Sequence, residues 1–507
     1  MNSGLVPLVE PLGVSHDPAE ICGRFRDLPY LLFLDSASAR SSVSDAQQMQ
    51  QYSFLAADPI AVIRSKGHHT ERRDRDDPVW RPVSGDALSV ARSLLPAAQQ
   101  TSSELPPFQG GLAGYIGYDW AAVLERLPRA RYDDLGVWDV VLGLYDWVIA
   151  WDHRHNAAWI ISTGLPDTGA ASGHRARERL AMVRERVGGE PGGRAARPKS
   201  MPAGVEWTGA AEQALAPSYP VTDIPGGADI ALRSTFTHRG YLDTVQRVRN
   251  YIVAGDIFQA NLSQRFQTRL PEEPFELYRL LRQRNPAPFA AYLDFDDVQI
   301  LSASPERFLR LDPERRMVET RPIKGTRPRG LGPMHDAALG RALAESQKDR
   351  AENVMIVDLL RNDLSRVCRP GSVRVPELFA IEHHPTVHHL VSTVIGELEQ
   401  GSTAFDLIRA TFPGGSITGA PKIRAMEIIA ELEPTQRGVY CGSIGYLSVT
   451  GALDTSIVIR TYLVLRGQVY FQAGGGIVAD SDPELEYRET LDKARGLIET
   501  LVEGYGR

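Results

Sequence analysis

Two glutamates and one lysine lie at helical spacing near the C-terminal end of the sequence. In "SDPELEYRETLDKARG", Glu486, Glu489 and Lys493 are three and four residues apart, which places them on one stripe of an α-helix. Asp482 is suited to the N-cap and Pro483 to the first helical position. Spacing alone favours an exposed helix face with a Glu–Lys ion pair.

The segment before that helix favours a binding site. "QAGGGIVADSD" places three glycines at the end of a predicted strand, where an anion can come close to backbone N–H groups. A carboxylate substrate beside two glutamates would need a cation between them. Mg²⁺, which prefers oxygen ligands, is the expected cation.

A second acidic pair supports the same prediction. Asp349 and Glu352, in "SQKDRAENVMIVDLLRND", are three residues apart on a predicted helix and face one way. Two carboxylate pairs on two helices could together hold one hard metal ion. An exposed charged surface from Lys348 to Glu352 explains the residues of this segment equally well.

Two further residues could carry acid–base or nucleophilic chemistry. Lys324 lies among prolines and arginines in "RPIKGTRPRG", either as a solvated charge or as a nucleophile held in a stiff segment. Glu306 follows a predicted strand in "SASPERFL", and the proline before it restricts the backbone. A buried glutamate with a raised pKa could act as a general acid, although most glutamates in such positions lie on the surface.

A loop rich in glycine and proline leads into another predicted helix. In "FPGGSITGAPKIRAMEII", Ser416 and Thr418 precede the helix, where hydroxyl and N–H groups can meet an anion. A simple turn with a helix cap is the alternative.

The elements that must position these residues fall into two blocks. The first contains strand-like runs such as "YLLFLDSAS" and "VVLGLYDWVIAW" and a helix at 172–187. Residues 188–234 are rich in Gly, Pro and Ala without a period, which predicts a linker or a surface insertion. After it, helices and strands alternate to the end; "HRGYLDTVQRVRNYIVAG" is typical of an amphipathic helix that stops at Gly255.

Composition limits the class of protein. The chain has 507 residues, 43% hydrophobic residues and a net charge of -7, as a globular protein with an ample core would. The acidity argues against nucleic acid as a partner, and no apolar run is long enough to span a membrane. Cys22, Cys368 and Cys441 show no disulfide or zinc spacing, and no export signal is visible, which together predict a cytoplasmic protein.

Eight motifs in order resemble one family, the chorismate-utilising enzymes, which include the anthranilate, aminodeoxychorismate, isochorismate and salicylate synthases. The motifs are "GDIFQANLSQRF", "SASPERF", "RPIKGTRPRG", "DRAENVMIVDLLRNDLSRV", "HHLVSTVIGEL", "PGGSITGAPKIRAMEII", "GVYCGSIGY" and "QAGGGIVADSDPELEYRETLDKARG". The resemblance is close over 235–507 and looser over 25–165.

The resemblance implies a fold and a division of the chain. The fold is α/β (α+β) of the anthranilate synthase component I type, a two-sheet β-sandwich core with helices outside, formed by both halves of the sequence. Residues 1–187 would be the N-terminal region of that type, 188–234 the linker or surface insertion, and 235–507 the chorismate-binding catalytic domain.

The resemblance also implies a reaction. Lys324 would attack chorismate at C2, Glu306 would protonate the departing C4 hydroxyl, and ammonia would then enter at C4. "PIKGT" is similar to the branch that makes 4-amino-4-deoxychorismate, a step toward 4-aminobenzoate and folate or a secondary metabolite, whereas anthranilate synthases have alanine in place of the lysine. Gln259 stands where the water-adding members have a basic lysine.

The remaining roles are likewise implied by the resemblance. Glu352 and Glu489 would bind Mg²⁺ directly, with Glu486 and Asp349 nearby. The residues expected to contact the substrate are Asn261, His389, Ser416, Thr418, Tyr440, Arg460, Gly475, Gly476 and Lys493.

Relatives take ammonia from a glutamine amidotransferase. None of the three cysteines has a Gly-x-Cys-x-Gly context, so a separate amidotransferase subunit is expected. "FLDSAS" resembles the region that holds tryptophan in relatives, which predicts a possible tryptophan site near Asp35 and Ser36.

Two alternatives remain open. One is anthranilate synthase component I, which makes 2-aminobenzoate from chorismate. The other is a chorismate-sensing or scaffold subunit without turnover, against which the presence of Lys324, Glu306, Glu352 and Glu489 speaks.

Overall fold

The computed structural model describes residues 7–13, 17–36, 51–96, 104–189, 216–384 and 387–506. The helices are α1 (Pro18–Gly23), α2 (Ala87–Leu94), α3 (Ala121–Leu124), α4 (Gly169–Gly188), α5 (His238–Val253), α6 (Pro274–Arg284), α7 (Pro333–Ala344), α8 (Gln347–Ser365), α9 (Ala404–Thr411), α10 (Lys422–Leu432) and α11 (Pro483–Tyr505), with 3₁₀ turns at Tyr118–Trp120 and Gly415–Ile417.

The strands are β1 (Leu8–Leu12), β2 (Leu31–Asp35), β3 (Tyr52–Ala56), β4 (Ala61–Lys66), β5 (His69–Asp74), β6 (Asp77–Val83), β7 (Gly111–Ile116), β8 (Val140–Tyr145), β9 (Trp147–Asp152), β10 (Ala157–Ser162), β11 (Tyr219–Pro220), β12 (Arg233–Ser234), β13 (Gln259–Arg269), β14 (Phe289–Phe295), β15 (Val298–Ser304), β16 (Arg307–Asp312), β17 (Met317–Thr320), β18 (Ile323–Pro328), β19 (Arg374–His383), β20 (Val387–Glu397), β21 (Gly419–Ala420), β22 (Ser443–Ser448), β23 (Leu453–Ile457), β24 (Thr461–Leu465) and β25 (Gln468–Ile477).

Two antiparallel sheets form the centre of the described molecule. The first has the order β1-β10-β9-β3-β2-β14-β15-β24-β25-β13-β12-β11, with β21 also paired to β13. The second has the order β18-β20-β17-β16-β23-β22-β7-β8-β4-β5-β6, with β19 also paired to β20. The predicted two-sheet sandwich with helices outside is confirmed.

Aromatic side chains fill the space between the sheets. Phe54 of the first sheet packs against Phe108 and against Tyr446 of the second, at ring-centroid distances of 5.6 and 5.4 Å. Two other apolar clusters lie on the outer faces, where helices cover the sheets. A sheet that is buried on both faces needs apolar side chains on both faces, and these sheets have them.

The helices form where the sequence pattern predicts them. In α5, Tyr241, Val245 and Val248 are buried on one face, and Gly255 follows the helix with φ +84°, a backbone conformation that glycine adopts readily. In α11, the Asp482 carboxylate accepts a hydrogen bond from the Leu485 N–H, and proline occupies the first turn.

Both halves of the chain contribute neighbouring strands to each sheet. In the first sheet β2 pairs with β14, and in the second β7 pairs with β22. Of the predicted linker 188–234, residues 190–215 lie outside the described residues. The part from 216 onward adds β11 and β12 to the edge of the first sheet and buries Val221 and Leu232, so it is packed onto the domain.

Two of the places where the chain crosses between the sheets lie next to each other. The chain passes from β15 in the first sheet to β16 in the second, and returns from β23 to β24. The Ile457 N–H donates to the Glu306 carbonyl (3.0 Å), and the Ala303 N–H donates to the Arg460 carbonyl (3.0 Å). These crossings therefore bring two of the predicted site residues together at one end of the sandwich.

No helix within the described ranges is both long enough and apolar enough to cross a membrane.

Candidate active site

Glu306 is buried at the first crossing, with 5% of its surface exposed. Burial raises the pKa of its carboxyl to about 7, although hydrogen bonds from the Ser416 hydroxyl and the Ile323 N–H and the charge of Lys324 oppose the shift. A carboxyl with this pKa retains its proton in a sizeable fraction of molecules at neutral pH, as a general acid must.

Lys324 lies in β18, in a β-bulge. Between Ile323 and Thr326 the register against β20 shifts, and Gly325 has φ +92°. A bulge of this kind turns a side chain out of the regular alternation of the strand. The Lys324 Nζ donates to the Ser416 carbonyl (2.9 Å).

The charge of Lys324 is set by opposing neighbours. Burial lowers the pKa of its ammonium and the charge of Lys493 lowers it further, whereas Glu352, Glu306 and Glu489 raise it; the net direction is downward. A lowered pKa increases the fraction of neutral amine, which is the nucleophilic form.

Ser416 forms hydrogen bonds with both Lys324 and Glu306. Its carbonyl accepts from Lys324 and its hydroxyl donates to Glu306. Thr418, two residues later, has no exposed surface, and its hydroxyl donates to the Gly414 and Gly415 carbonyls at 3.1 and 3.2 Å. In this structure Ser416 therefore faces Lys324 and Glu306, while the Thr418 side chain shapes the turn.

The predicted carboxylates of α8 and α11 lie near this pair. Burial raises the pKa of Glu352 against the charges of Lys324 and Lys348, and Glu489 raises it further. Burial also raises the pKa of Glu486, to which the Ser481 hydroxyl donates (2.6 Å). These carboxylates are therefore short of positive charge.

Side-chain amines and a guanidinium already occupy part of this acidic site. Lys493 lies 2.5 Å from Glu489 and lowers its pKa despite burial. Lys348 lies 3.7 Å from Glu486, and Arg327 pairs with Asp349 at 2.8 Å. As placed, the described residues contain no group of three or more His, Cys, Asp or Glu side chains close enough to hold a metal ion.

The chemistry of the donor set nevertheless fits a hard cation. A methyl group on Gly475 would lie 3.3 Å from an oxygen of Glu486 and 3.3 Å from an oxygen of Glu489, so both carboxylates face the bare backbone of β25. Glu489 raises the pKa of both Glu352 and Glu486, and Mg²⁺ prefers carboxylate oxygens as ligands.

Arg460 is a half-buried cation near Glu489. Burial lowers the pKa of its guanidinium, partly offset by Tyr440 and Glu489, and its Nη1 donates to the Lys493 carbonyl. Across the described ranges no carboxylate lies within ion-pair distance of it. A desolvated guanidinium without an acidic partner is suited to a substrate carboxylate.

Strands β13 and β25 contribute backbone groups and side-chain amides to the candidate site. Asn261 of β13 lies opposite Gly476 of β25, and its N–H donates to the Thr418 carbonyl (2.7 Å). Gln259 is 1% exposed, and neither of its side-chain polar atoms has a partner among the described residues. A methyl group on Gly476 would lie 1.7 Å from the Gln259 Nε2, so glycine is required there.

His389 of β20 lies opposite Thr326 of β18, the strand that contains Lys324. Burial lowers the pKa of its imidazole to about 3, and its Nδ1 lies 2.9 Å from the Thr326 hydroxyl. A neutral imidazole can both donate and accept a hydrogen bond.

Comparison with known proteins decides the family. A model of the chorismate binding enzymes matches residues 38–499. The chain belongs to the chorismate-binding enzyme family.

Two relatives of this chorismate-binding enzyme differ in their names. Aminodeoxychorismate synthase component 1 of Salmonella typhimurium is 40% identical and covers 99% of this chain and 100% of its own length. Anthranilate synthase component 1 of Thermus thermophilus is 42% identical over 83% of this chain and 84% of its own. The crystal structure of anthranilate synthase component I from Streptococcus pneumoniae matches with a TM-score of 0.71 at 32% identity, covering 88% of this chain and 92% of the other.

The chorismate-binding enzyme has a second cavity, of about 330 Å³. Asp35 and Ser36, the residues predicted to lie near a tryptophan, are in its wall, as are Tyr52 and Tyr446. The rest of "FLDSAS", residues 37 and 38, lies outside the described residues. The Asp35 carboxylate is paired with Arg282 at 2.5 Å.

Sequence reasoning missed a buried ion pair behind the site. Glu433 and Arg437 lie 2.7 Å apart. Their spacing of four residues would have indicated an exposed helical pair, whereas both side chains are buried in the turn that follows α10.

Proposed function

We propose that this enzyme aminates chorismate with ammonia to give 4-amino-4-deoxychorismate, a precursor of 4-aminobenzoate. Overall identity does not separate this reaction from anthranilate formation, because relatives with the two names are 40% and 42% identical. The observation that carries the proposal is the half-buried Lys324 amine, held by the Ser416 carbonyl next to a carboxyl whose pKa is raised to about 7. A nucleophile and a general acid are the two groups that the C4 reaction needs.

In the first step the neutral Lys324 amine attacks C2 of chorismate. Both ring double bonds shift, from C1=C2 and C5=C6 to C1=C6 and C4=C5, and the C4–oxygen bond breaks. Glu306 gives its proton to the departing hydroxyl, which leaves as water. The secondary ammonium formed at Lys324 then loses a proton to the Glu306 carboxylate, which leaves a neutral secondary amine and restores the acid.

In the second step ammonia attacks C4, and both double bonds shift back to C5=C6 and C1=C2. The bond between C2 and the Lys324 nitrogen breaks, and the proton from the incoming ammonia restores the neutral lysine. The net reaction converts chorismate and ammonia into 4-amino-4-deoxychorismate and water. Lysine addition at C2 therefore delivers ammonia at C4 by two successive allylic shifts.

The carboxylates of chorismate would lie against the positive side of the site. Arg460 is suited to the enolpyruvyl carboxylate, because a guanidinium can donate two parallel hydrogen bonds. Glu352 and Glu489, with Glu486 and Asp349 close by, would hold Mg²⁺. When bound, Mg²⁺ supplies positive charge beside the ring carboxylate.

Ammonia would come from a separate glutamine amidotransferase. Both relatives are named component 1, which supports a second subunit. The three cysteines are buried and free, and burial raises the pKa of Cys368 to about 11 and of Cys441 to about 12, so neither is suited to a thiolate nucleophile.

Product analysis tests the proposal. Purified enzyme is given chorismate, Mg²⁺ and an ammonium salt, and the product is identified by mass spectrometry and fluorescence. We expect a product aminated at C4 that lacks the fluorescence of 2-aminobenzoate. Fluorescent 2-aminobenzoate as the main product would contradict the proposal in favour of anthranilate synthesis, and no consumption of chorismate would favour a non-catalytic subunit.

We also propose that the second cavity binds tryptophan. Its aromatic wall at Tyr52 and Tyr446 suits an indole ring. Titration calorimetry with tryptophan should show saturable heat, whereas alanine, which lacks the ring, should not. Equal signals from the two amino acids, or none, would contradict this assignment.

A further inference from the structure

The ion pair between Glu433 and Arg437 is buried behind the candidate site. Each residue is 4% exposed, and the guanidinium donates to both carboxylate oxygens, from Nε at 2.9 Å and from Nη2 at 2.7 Å. Removing two charges from water costs more than their attraction alone usually returns. The remaining hydrogen bonds of the pair therefore indicate what it does.

Those hydrogen bonds reach two segments that line the site. Arg437 donates from Nη1 to the Ile417 carbonyl (3.1 Å) and from Nη2 to the Asn261 carbonyl (2.5 Å). Glu433 accepts from the Ser263 N–H (2.7 Å) and hydroxyl (2.9 Å). The pair thus fastens β13 to the 3₁₀ turn that contains Ser416.

Ser416 is the residue immediately before Ile417. Its carbonyl accepts from Lys324 and its hydroxyl donates to Glu306. A shift of the Ile417 carbonyl would move both hydrogen bonds of Ser416 together.

We infer that Glu433 and Arg437 are positioning residues, which set the distance between the Lys324 amine and the Glu306 carboxyl by holding the turn at Ser416. The inference rests on the proposed roles of Lys324 and Glu306, and neither positioning residue has to touch the substrate. A lysine at 437 keeps a positive charge beside Glu433 but loses the planar, multiply donating head group.

Arg437→Lys is the test, and Arg265→Lys is its matched control. Arg265 is also buried on β13 and also makes two bonds to a carboxylate, with Asp134 at 2.8 and 2.5 Å. Its side chain contacts neither the Ser416 turn nor Asn261. The same substitution at the two positions therefore separates the loss of a buried ion pair from the loss of positioning.

Consumption of chorismate with ammonium as the nitrogen source is the readout, whichever product forms. Arg437→Lys should lower kcat by about 10- to 100-fold, with a smaller change in KM. The rate should fall near pH 7, where Glu306 loses its proton. In Arg437→Lys this falling limb of the pH–rate profile should move to higher pH, because the Ser416 hydroxyl no longer lowers the pKa of Glu306. Arg265→Lys should leave kcat within about twofold and the limb in place.

Equal losses of kcat in the two variants, or an unmoved limb in Arg437→Lys, would overturn the inference. If Arg437→Lys does not fold, the double variant E433Q/R437Q removes both charges without leaving one unpaired, and it must show the same shifted limb. A wild-type enzyme that makes 2-aminobenzoate would refute the proposed function but leave this comparison valid.

Discussion

Burial acts on Glu306 and Lys324 in opposite senses, and both effects favour the uncharged form. It raises the pKa of the carboxyl to about 7 and lowers that of the ammonium. A proton donor and an amine nucleophile are both needed uncharged. Burial therefore favours, for each group, the protonation state that the proposed reaction needs.

Glu306→Gln should stabilise the protein increasingly as pH rises. The folded-state pKa of about 7 lies above the ordinary value of 4.5, so the wild type loses stability as pH rises from about 4.5 through 7. At pH 8 the variant should be more stable by about 2–3 kcal/mol, and at pH 5 by less than about 1 kcal/mol. Chemical denaturation at the two pH values measures the difference.

Asp119→Asn is the matched control for Glu306→Gln, because burial also raises the pKa of Asp119 to about 7. It should show the same dependence of stability on pH, yet lose far less activity. If the stability gain of Glu306→Gln were the same at pH 5 and pH 8, the raised pKa would be refuted.

Glu352→Gln should raise the Mg²⁺ concentration needed for half-maximal activity by at least about tenfold, because a neutral amide binds Mg²⁺ weakly. Glu484→Gln is the control: this glutamate is on α11 with Glu486 and Glu489, but it pairs with Arg488 and His238. Titration of activity with Mg²⁺ measures the shift. Equal Mg²⁺ requirements in the two variants would argue against the metal assignment.

The sequence predicts the types of side chain at the site better than their partners. Lys324, Glu306 and the carboxylates are recognisable from motifs. The Ser416 carbonyl that holds Lys324 and the Arg437 guanidinium behind it are not, because a backbone acceptor carries no signal in the sequence. Lys324 and Ser416 are 92 positions apart, and Arg437 and Asn261 are 176 apart, so these contacts exist only in the fold.

At the level of elements, the bulge in β18 decides where Lys324 points. Gly325 has φ +92°, and a methyl group there would lie 2.9 Å from Leu343 Cδ1 and 3.0 Å from Asp349 Cγ. Both the backbone conformation and the close packing against α7 and α8 therefore require glycine.

Gly325→Ala should cost about 2–3 kcal/mol of stability and lower activity at least about tenfold. Gly401→Ala is a matched control, since Gly401 has a similar φ of +91° but nothing within 4 Å of an added methyl group. It should cost only about 1 kcal/mol and leave activity intact. Thermal denaturation with chorismate-consumption assays compares the two; equal effects would show that the bulge does not orient Lys324.

Helix boundaries follow from local chemistry, and strand partners do not. The start of α11 at Asp482 and Pro483 is predicted by capping preferences and confirmed. The segment around Lys324, with its prolines, suggests a loop, yet it is an edge strand of the second sheet, where proline is tolerated. Residues 216–234 gain their strands only by pairing with β13.

At the level of the whole molecule, the two halves of the chain are interleaved. The similar sequences "GYIGYD" and "GSIGYLS" contribute to β7 and β22, which are adjacent antiparallel strands. The residues proposed to be catalytic lie in the second half, but the sheets that hold them are completed by strands of the first.

A fragment of residues 235–507 should therefore fail to fold alone. Without β2 and β7, strands β14 and β22 lose a paired neighbour, and exposed sheet edges promote aggregation. Size-exclusion chromatography and circular dichroism should show aggregated or unfolded material, and co-expression with residues 1–234 should restore soluble protein that consumes chorismate. A monomeric fragment with cooperative unfolding would contradict the interleaved arrangement.

The nucleophilic role of Lys324 is the central claim, and mass spectrometry of the enzyme quenched during turnover tests it most directly. Digestion should yield the Lys324 peptide carrying the mass of chorismate less water, and Lys324→Arg should show no such mass. Lys324→Ala should lose most C4 amination, and some product aminated at C2 is expected. A wild type that never carries the adduct, together with a Lys324→Ala variant that forms the C4 product at an unchanged rate, would contradict the account.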